Sequence, residues 1–167
     1  MRFAIVRSLY NGEITTALQT GAVRAFVDGG VPPSDVEVFE VPGSFELPVC
    51  ALWLANTKRF DAIVCLGCVI RGETTHFEYV AGEAARGITN VALQTGVPVI
   101  FGVLTTATVA QARQRASDVN RGTPQHSMTA ERLGVKASPE ATKGNKGYEA
   151  AQSALHMAAL RNKLSQA

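Results

Sequence analysis

The stretch AIVCLGCVI, Ala62–Ile70, holds nine consecutive residues without a charge, and it decides the fold. Its apolar residues do not alternate with polar ones, so the pattern predicts a strand that is covered on both faces. Three further apolar runs rich in β-branched residues, at residues 2–6, 36–41 and 98–104, complete a set of four predicted strands. Strands of this kind are typical of a parallel sheet between two layers of helices.

Helical patterns lie between and after these runs, which indicates repeated βαβ units. We therefore predict an α/β fold, a flavodoxin-like three-layer αβα sandwich around a four-stranded parallel sheet. Asn11 is the expected N-cap of the first helix. The predicted helices cover about residues 11–29, 44–56, 75–96, 108–117 and 146–164.

The chain has 167 residues, and we expect one domain over residues 1–167. A polar segment at about residues 118–145 interrupts the last helix pair and predicts an insert in that domain. Charged residues make up only 18% of the chain, against about 25% in a typical globular protein. A surface with few charges suggests contact between copies of the same chain.

Composition argues against several classes of protein. The net charge is only +2 and the Lys and Arg residues do not cluster, so we expect no nucleic-acid partner. No apolar run approaches the roughly 18 residues of a membrane span, and the first residues lack the pattern of a secretory signal. Three cysteines leave one over in any pairing, which favours a reduced, cytoplasmic setting.

The expected ligand site lies beyond the carboxyl ends of the strands, where open α/β sheets bind their ligands. There the motif RGETTH, residues 71–76, joins the third predicted strand to the third helix. Free amides at such a helix start suit a phosphate, although capping by Thr74 or Thr75 explains the same residues. His76 offers an imidazole that exchanges protons near neutral pH, but a histidine held by structural hydrogen bonds is an equal alternative.

A second turn, VPGSFE at residues 41–46, follows the second predicted strand. Gly43 and Ser44 permit close approach to a ligand, and Glu46 either binds ligand hydroxyls or simply complements the helix dipole. Tyr10 and Phe101 are predicted to end strands one and four, where an aromatic ring stacks on a heteroaromatic ligand or joins the core.

Cys65 and Cys68 have the spacing of a redox or zinc motif, but both lie in a predicted strand. Residues three apart in a strand point to opposite faces about 10 Å from each other, too far for a disulfide. We therefore expect buried cysteines and no metal site. Because no nucleophile lies beside a suitable base, the sequence favours acid–base chemistry without a covalent intermediate.

Six stretches resemble one enzyme family, the 6,7-dimethyl-8-ribityllumazine synthases. They follow the family's order over nearly the whole chain, and the RGETTH and PGSFE turns are the most specific. The six stretches are YNGEIT (10–15), VPGSFELP (41–48), LGCVIRGETTHFEYV (66–80), TGVPVIFGVLTT (95–106), QARQRA (111–116) and GNKGYEAAQSAL (144–155).

The resemblance implies a transferase of riboflavin biosynthesis that needs no metal or redox cofactor. The family condenses 5-amino-6-ribitylaminouracil, a ribitylaminopyrimidinedione, with 3,4-dihydroxy-2-butanone 4-phosphate, a phosphorylated butanone, and releases phosphate and water. Two alternatives stay open at this point. One is a non-catalytic oligomer that binds flavin or lumazine, and the other is the related archaeal-type riboflavin synthase.

The resemblance also implies individual roles. His76 matches the proton-transfer histidine, and Arg115 matches the arginine that reaches the phosphate. The turn at 44–46 matches the ribityl contacts, and the amides of 73–75 match the phosphate contacts, with the Glu73 carboxylate turned away. The residues that match substrate contacts are Tyr10, Asn11, Ser44, Phe45, Glu46, Cys68, Val69, Ile70, Glu73, Thr74, Thr75, Phe101 and Lys146.

Family members place this pocket between neighbouring subunits of a pentamer, and some pack twelve pentamers into a shell. The polar segment at 118–145, which most members lack, falls at the helix junction that makes the shell contacts. The chain also begins close to its first strand, where many relatives carry an additional strand. We therefore expect a homo-pentamer or a decamer rather than a capsid.

Overall fold

The computed structural model describes residues 1–117 and 144–166. These residues form four strands and five α-helices, and single 3₁₀ turns at Pro33–Asp35 and Ser44–Glu46 precede β2 and α2. In chain order the elements are β1 (Phe3–Ser8), α1 (Gly12–Asp28), β2 (Val36–Val41), α2 (Leu47–Asn56), β3 (Ala62–Ile70), α3 (His76–Thr95), β4 (Val99–Thr106), α4 (Val109–Ala116) and α5 (Lys146–Ser165).

All strand pairs are parallel, and the sheet order is β2-β1-β3-β4. The register brings the carboxyl ends of the strands to one edge, because Ser8 pairs with Val41 and Ile70 pairs with Thr106. We call this edge the rim. β3 lies inside the sheet and is buried along Ala62–Val69, as its uninterrupted apolar sequence predicts.

Two apolar cores lie on the two faces of the sheet. Phe3, Ile5 and Leu66 join α1, α4 and α5 in one core. Val6 and Ile63 join α2 and α3 in the other core. The predicted three-layer αβα architecture with a four-stranded parallel sheet is therefore confirmed.

The strand ends differ from the predictions at two places. β1 continues to Ser8 and β4 continues to Thr106, two residues beyond the predicted ends. Residues 7 and 8 carry polar side chains, and so do 105 and 106, which obscured the strand pattern. Backbone pairing extends both strands regardless of side-chain polarity, since Arg7 pairs with Glu40 and Thr105 with Val69.

Asn11 occupies the predicted N-cap position of α1, but its side chain does not cap the helix. The residue adopts a left-handed conformation with φ 56° and ψ 45° and makes no side-chain cap hydrogen bond. Its amide group donates instead to the carbonyl oxygen of Cys68 in β3, at 2.9 Å. Asparagine tolerates the left-handed conformation better than most residues, which allows this turn to reach the neighbouring strand.

The predicted insert at about 118–145 lies outside the described residues except for its last two. Asn145, the last residue of that segment, caps α5, because its side chain accepts hydrogen bonds from the first turn of the helix. In the described part of the chain, no helix is long and apolar enough to cross a membrane.

Candidate active site

The turns that follow β1 and β2 are hydrogen-bonded to each other at the rim. The backbone N–H of Leu9 donates to the carbonyl of Val41 at 2.8 Å, and that of Tyr10 donates to Pro42 at 3.1 Å. The Tyr10 side chain is 72% exposed, although it is large and aromatic. A rigid turn thus presents an open aromatic face above the sheet, which suits stacking on a flat heteroaromatic ring.

The contact from Asn11 to Cys68 joins this turn to the end of β3. Cys68 and Val69 are buried and Ile70 is half-buried, so this strand end offers a ligand mainly its backbone. Burial raises the pKa of the Cys68 thiol to about 11, which keeps it protonated near neutral pH. A protonated thiol is a poor nucleophile, in agreement with chemistry that forms no covalent intermediate.

The 3₁₀ turn Ser44–Glu46 forms the next part of the rim. Ser44 is buried against Gly67 of β3, where an added Cβ would come within 2.5 Å of the serine oxygen. Phe45 points outward and is 56% exposed, and the carboxylate of Glu46 lies over Gly43. The helix predicted from residue 44 therefore begins as a 3₁₀ turn, and α2 itself starts at Leu47.

The loop of residues 71–75 leads from β3 to α3 and is exposed throughout. The N–H of Arg71 donates to Thr106 at 2.9 Å, which ties the loop to the end of β4. Thr75 occupies the N-cap position, yet its side chain makes no cap hydrogen bond. Capping by Thr75 therefore does not explain this motif, whereas binding of an anion to the helix start remains compatible with it.

His76 is the first residue of α3 and is exposed at the rim. Its position beside the loop of residues 71–75 is the position that the sequence predicts. Of the other two histidines, His156 lies exposed on α5 and His126 lies outside the described residues.

A second group of site residues lies along β4, which is an edge strand of the sheet. An open cavity of about 350 Å³ lies between this strand, the end of α4 and the beginning of α5. Three of the predicted residues, Phe101, Arg115 and Lys146, line it together. The other lining residues are Ile100, Gly102, Val103, Leu104, Thr105, Glu149, Ala150 and Ser153.

The prediction that Phe101 ends strand four is wrong. The residue is the third of eight in β4 and pairs with Cys65, whereas Thr106 reaches the rim. Phe101 and Thr106 are five positions apart, which corresponds to about 16 Å along a strand. Phe101 is nevertheless 43% exposed, because β4 has no further strand beside it.

The predicted residues thus form two groups on one chain. The rim group contains Tyr10, the 3₁₀ turn, the end of β3 and the loop to His76, and none of these residues lines the cavity. The cavity group contains an aromatic ring and two cations. His76 therefore belongs to the rim group, whereas Arg115 and Lys146 belong to the cavity group.

Two polar cavity residues on α5 are absent from the sequence predictions. Glu149 accepts a hydrogen bond from Lys146 at 2.6 Å, and Ser153 lies one turn further along α5. Glu149 and Ser153 lie three and seven residues after Lys146, and residues with this spacing share one face of a helix. This spacing could have predicted them from the sequence.

Cys65 and Cys68 belong to opposite cores, which confirms that they cannot form a disulfide. Burial raises the pKa of the Cys65 thiol far above its usual range, and the neighbouring Cys50 adds to the shift. Among the described residues, no cluster of His, Cys, Asp or Glu could hold a metal ion.

Two comparisons with known proteins agree on one family. The family model for 6,7-dimethyl-8-ribityllumazine synthase matches residues 1–162. A protein of Syntrophus aciditrophicus (strain SB) named 6,7-dimethyl-8-ribityllumazine synthase is 45% identical over 157 residues, which cover 94% of this chain and 87% of the relative. The chain therefore belongs to the 6,7-dimethyl-8-ribityllumazine synthase family.

Proposed function

We propose that this enzyme condenses 5-amino-6-ribitylaminouracil with 3,4-dihydroxy-2-butanone 4-phosphate to 6,7-dimethyl-8-ribityllumazine, with release of phosphate and water. The observation that carries the proposal is the joint placement of Phe101, Arg115 and Lys146 on one cavity, beside a rim that bears His76. The cavity supplies an aromatic surface and two cations, and the rim supplies a proton-transfer group. One substrate contains a pyrimidine ring, which the aromatic surface can bind, and the other is a phosphate ester, which the cations can bind.

The pyrimidine is bound by stacking and by backbone contacts in this proposal. Tyr10 and Phe101 provide exposed rings, and residues 68–70 provide the backbone at the carboxyl end of β3. Asn11 is bonded to this strand end through the carbonyl of Cys68, and we place it beside the bound pyrimidine. The ribityl hydroxyls bind Ser44, the Phe45 backbone and Glu46, since a carboxylate and a hydroxyl pair readily with hydroxyl groups.

The phosphate is bound by Arg115 and by the amides of Glu73, Thr74 and Thr75. Within the described residues, Arg115 donates a hydrogen bond to the carbonyl of Gln111 on its own helix, at 3.1 Å. Its remaining N–H groups fit a phosphate, and charge-assisted hydrogen bonds of this kind are the strong ones. The same contacts stabilise the negative charge that develops when phosphate leaves.

Proton transfer accompanies every bond that forms or breaks in this condensation. An amine of the pyrimidine attacks the ketone, an imine forms, phosphate leaves, and a second amine closes the ring. His76 is exposed at the rim, next to the loop to which we assign the phosphate contacts. We assign it the role of accepting and returning these protons.

An absorbance assay for lumazine formation from the two purified substrates tests the function. The proposal expects product from the mixture and none when either substrate is omitted. A protein that only binds lumazine gives no product. A riboflavin synthase consumes 6,7-dimethyl-8-ribityllumazine and forms riboflavin, and either result contradicts the proposal.

We further propose that the complete site forms between neighbouring subunits of a homo-pentamer, free or paired as a decamer. The two groups of site residues lie on different surfaces of one chain, and a heterologous contact repeated around a ring brings one against the other. Exposed apolar side chains such as Trp53, 65% exposed, and Leu93, 79% exposed, supply surface for contact between subunits. The expected cytoplasmic location suits three buried, unpaired cysteines.

Mixed subunits test the shared site. His76→Ala and Arg115→Ala each disable one group, so each variant alone should be impaired. After the two are unfolded together and reassembled in equal amounts, about one site in four combines an intact His76 with an intact neighbouring Arg115. Activity should therefore recover toward a quarter of the wild-type value.

The control for this experiment mixes each variant with itself, which restores nothing. No recovery in the mixed sample contradicts the shared site. Light scattering should give a mass of five or ten chains of 17.7 kDa, and a particle of sixty chains or an active monomer contradicts the proposed assembly.

A further inference from the structure

We propose that Asn145 is a positioning residue that sets Arg115 against Lys146 on the wall of the cavity. This inference rests on the proposed function, because Arg115 is taken to bind the phosphate of the substrate. Asn145 immediately precedes α5 and is 1% exposed. Its amide does not touch the cavity, and it acts through the two helices that carry the cations.

The Asn145 side chain is fully used in four hydrogen bonds to backbone groups of three helices. Its Nδ2 donates to the carbonyl of Ala17 in α1 at 3.0 Å and to that of Ala116 at 2.7 Å. Its Oδ1 accepts from the N–H of Gly147 at 2.9 Å and of Tyr148 at 3.2 Å. An asparagine amide offers two donors and an oxygen with two lone pairs, so every hydrogen-bonding position has a partner.

These bonds end next to the two cations of the cavity. Ala116 is the last residue of α4 and follows Arg115 directly. Lys146 follows Asn145 and begins α5, whose first-turn amides Asn145 caps. Residues 117–144 separate the two helices in sequence, so the side chain of Asn145 joins them across a long stretch of chain.

The surrounding helices are shaped to admit this side chain. Gly21 of α1 lies against the Asn145 amide, and an added Cβ there would collide with Oδ1. Gly147 lies against the backbone of Leu18, and an added Cβ there would collide with its carbonyl oxygen. Glycine in a helix interior, as at Gly21, costs stability, and here Gly21 and Gly147 allow α1 and α5 to approach closely around Asn145.

The expected consequence concerns binding of the phosphorylated substrate. Asn145→Ser keeps a hydroxyl that can cap α5, but the shorter side chain cannot reach the carbonyls of Ala17 and Ala116. Arg115 is then no longer held in place. Because a small displacement of a binding group weakens binding strongly, the KM for the butanone phosphate should rise on the order of tenfold. The KM for the pyrimidine should change less than twofold, which is the size of change expected when a substitution does not affect the binding site.

Thr108→Ala is the matched control, because it removes the cap at the other end of α4. The Thr108 oxygen accepts from the N–H of Gln111 at 3.2 Å and does not line the cavity. This variant should lose thermal stability as Asn145→Ser does, yet keep both KM values. If the two variants show the same KM values, Asn145 only stabilises the fold and the proposal is overturned.

A double-mutant cycle tests whether Asn145 acts through Arg115. In an Arg115→Ala background, Asn145→Ser should change the KM for the butanone phosphate less than about twofold, since the positioned group is gone. The full tenfold effect in that background would overturn the proposal. The same variants can be compared by their binding of inorganic phosphate, measured by calorimetry. This measurement needs no turnover, so it tests the role of Asn145 even if the proposed reaction is wrong.

Gly21→Ala provides a second variant for the case in which Asn145→Ser does not fold. It leaves Asn145 in the chain and displaces its side chain through the added Cβ. Alanine also favours the helix more than glycine does. This variant should likewise weaken phosphate binding selectively, and phosphate binding of wild-type strength in a folded Gly21→Ala protein would overturn the proposal.

Discussion

Replacing His76 by alanine should slow lumazine formation by a factor on the order of 10² to 10⁴, the usual contribution of a positioned acid–base group. Because a free amine and a ketone already react without an enzyme, the lower end of this range is the expected one. The loss should fall on kcat, since His76 is exposed at the rim and contributes little to the walls that hold the substrates. Steady-state kinetics with both substrates measure this split.

His156→Ala is the control for this variant. The residue is exposed on α5 and lines neither the rim nor the cavity, so its loss removes an imidazole without touching the site. Circular dichroism and melting should show that both variants are folded. Full activity of folded His76→Ala would rule out the proton-transfer role.

Replacing Arg115 by alanine should raise the KM for the butanone phosphate about 10- to 150-fold. A charge-assisted contact to phosphate contributes roughly 1.5–3 kcal/mol, and each 1.4 kcal/mol is a tenfold change in binding. Binding of the pyrimidine should be largely spared, because its ring contacts lie with Tyr10, Phe101 and the end of β3. Separate titration of the two substrates, with the other held at saturation, measures this difference.

Arg113→Ala is a matched control on the same helix. Arg113 is an exposed arginine two residues earlier, its guanidinium pairs with Glu13 at 3.0 Å, and it does not line the cavity. Its removal takes away the same charge and should leave both KM values unchanged. Equal weakening of both substrates by Arg115→Ala, or no weakening, would show that another residue binds the phosphate, and Arg121 and Arg132 would be the next to test.

The rim could be predicted almost completely from local sequence. Each of its parts follows directly after a strand of the sheet, so a correct strand order is enough to bring the parts together. Phe101 was harder to place, because the apolar run continues beyond it to residue 104 and the strand extends further through the polar residues Thr105 and Thr106. The two polar ends of β1 and β4 were missed for the same reason.

The sequence by itself determined the layers and the four strands, because burial on both faces leaves an uninterrupted apolar run such as Ala62–Ile70. Only the tertiary structure decided that Arg115 and Lys146 share one cavity wall with Phe101, apart from the rim that bears His76. It also decided that Asn11 holds Cys68 and that Asn145 joins α4 to α5. Hydrogen bonds between residues 57 or 29 positions apart leave no periodic pattern in a sequence, since they depend on where distant backbone groups come to lie.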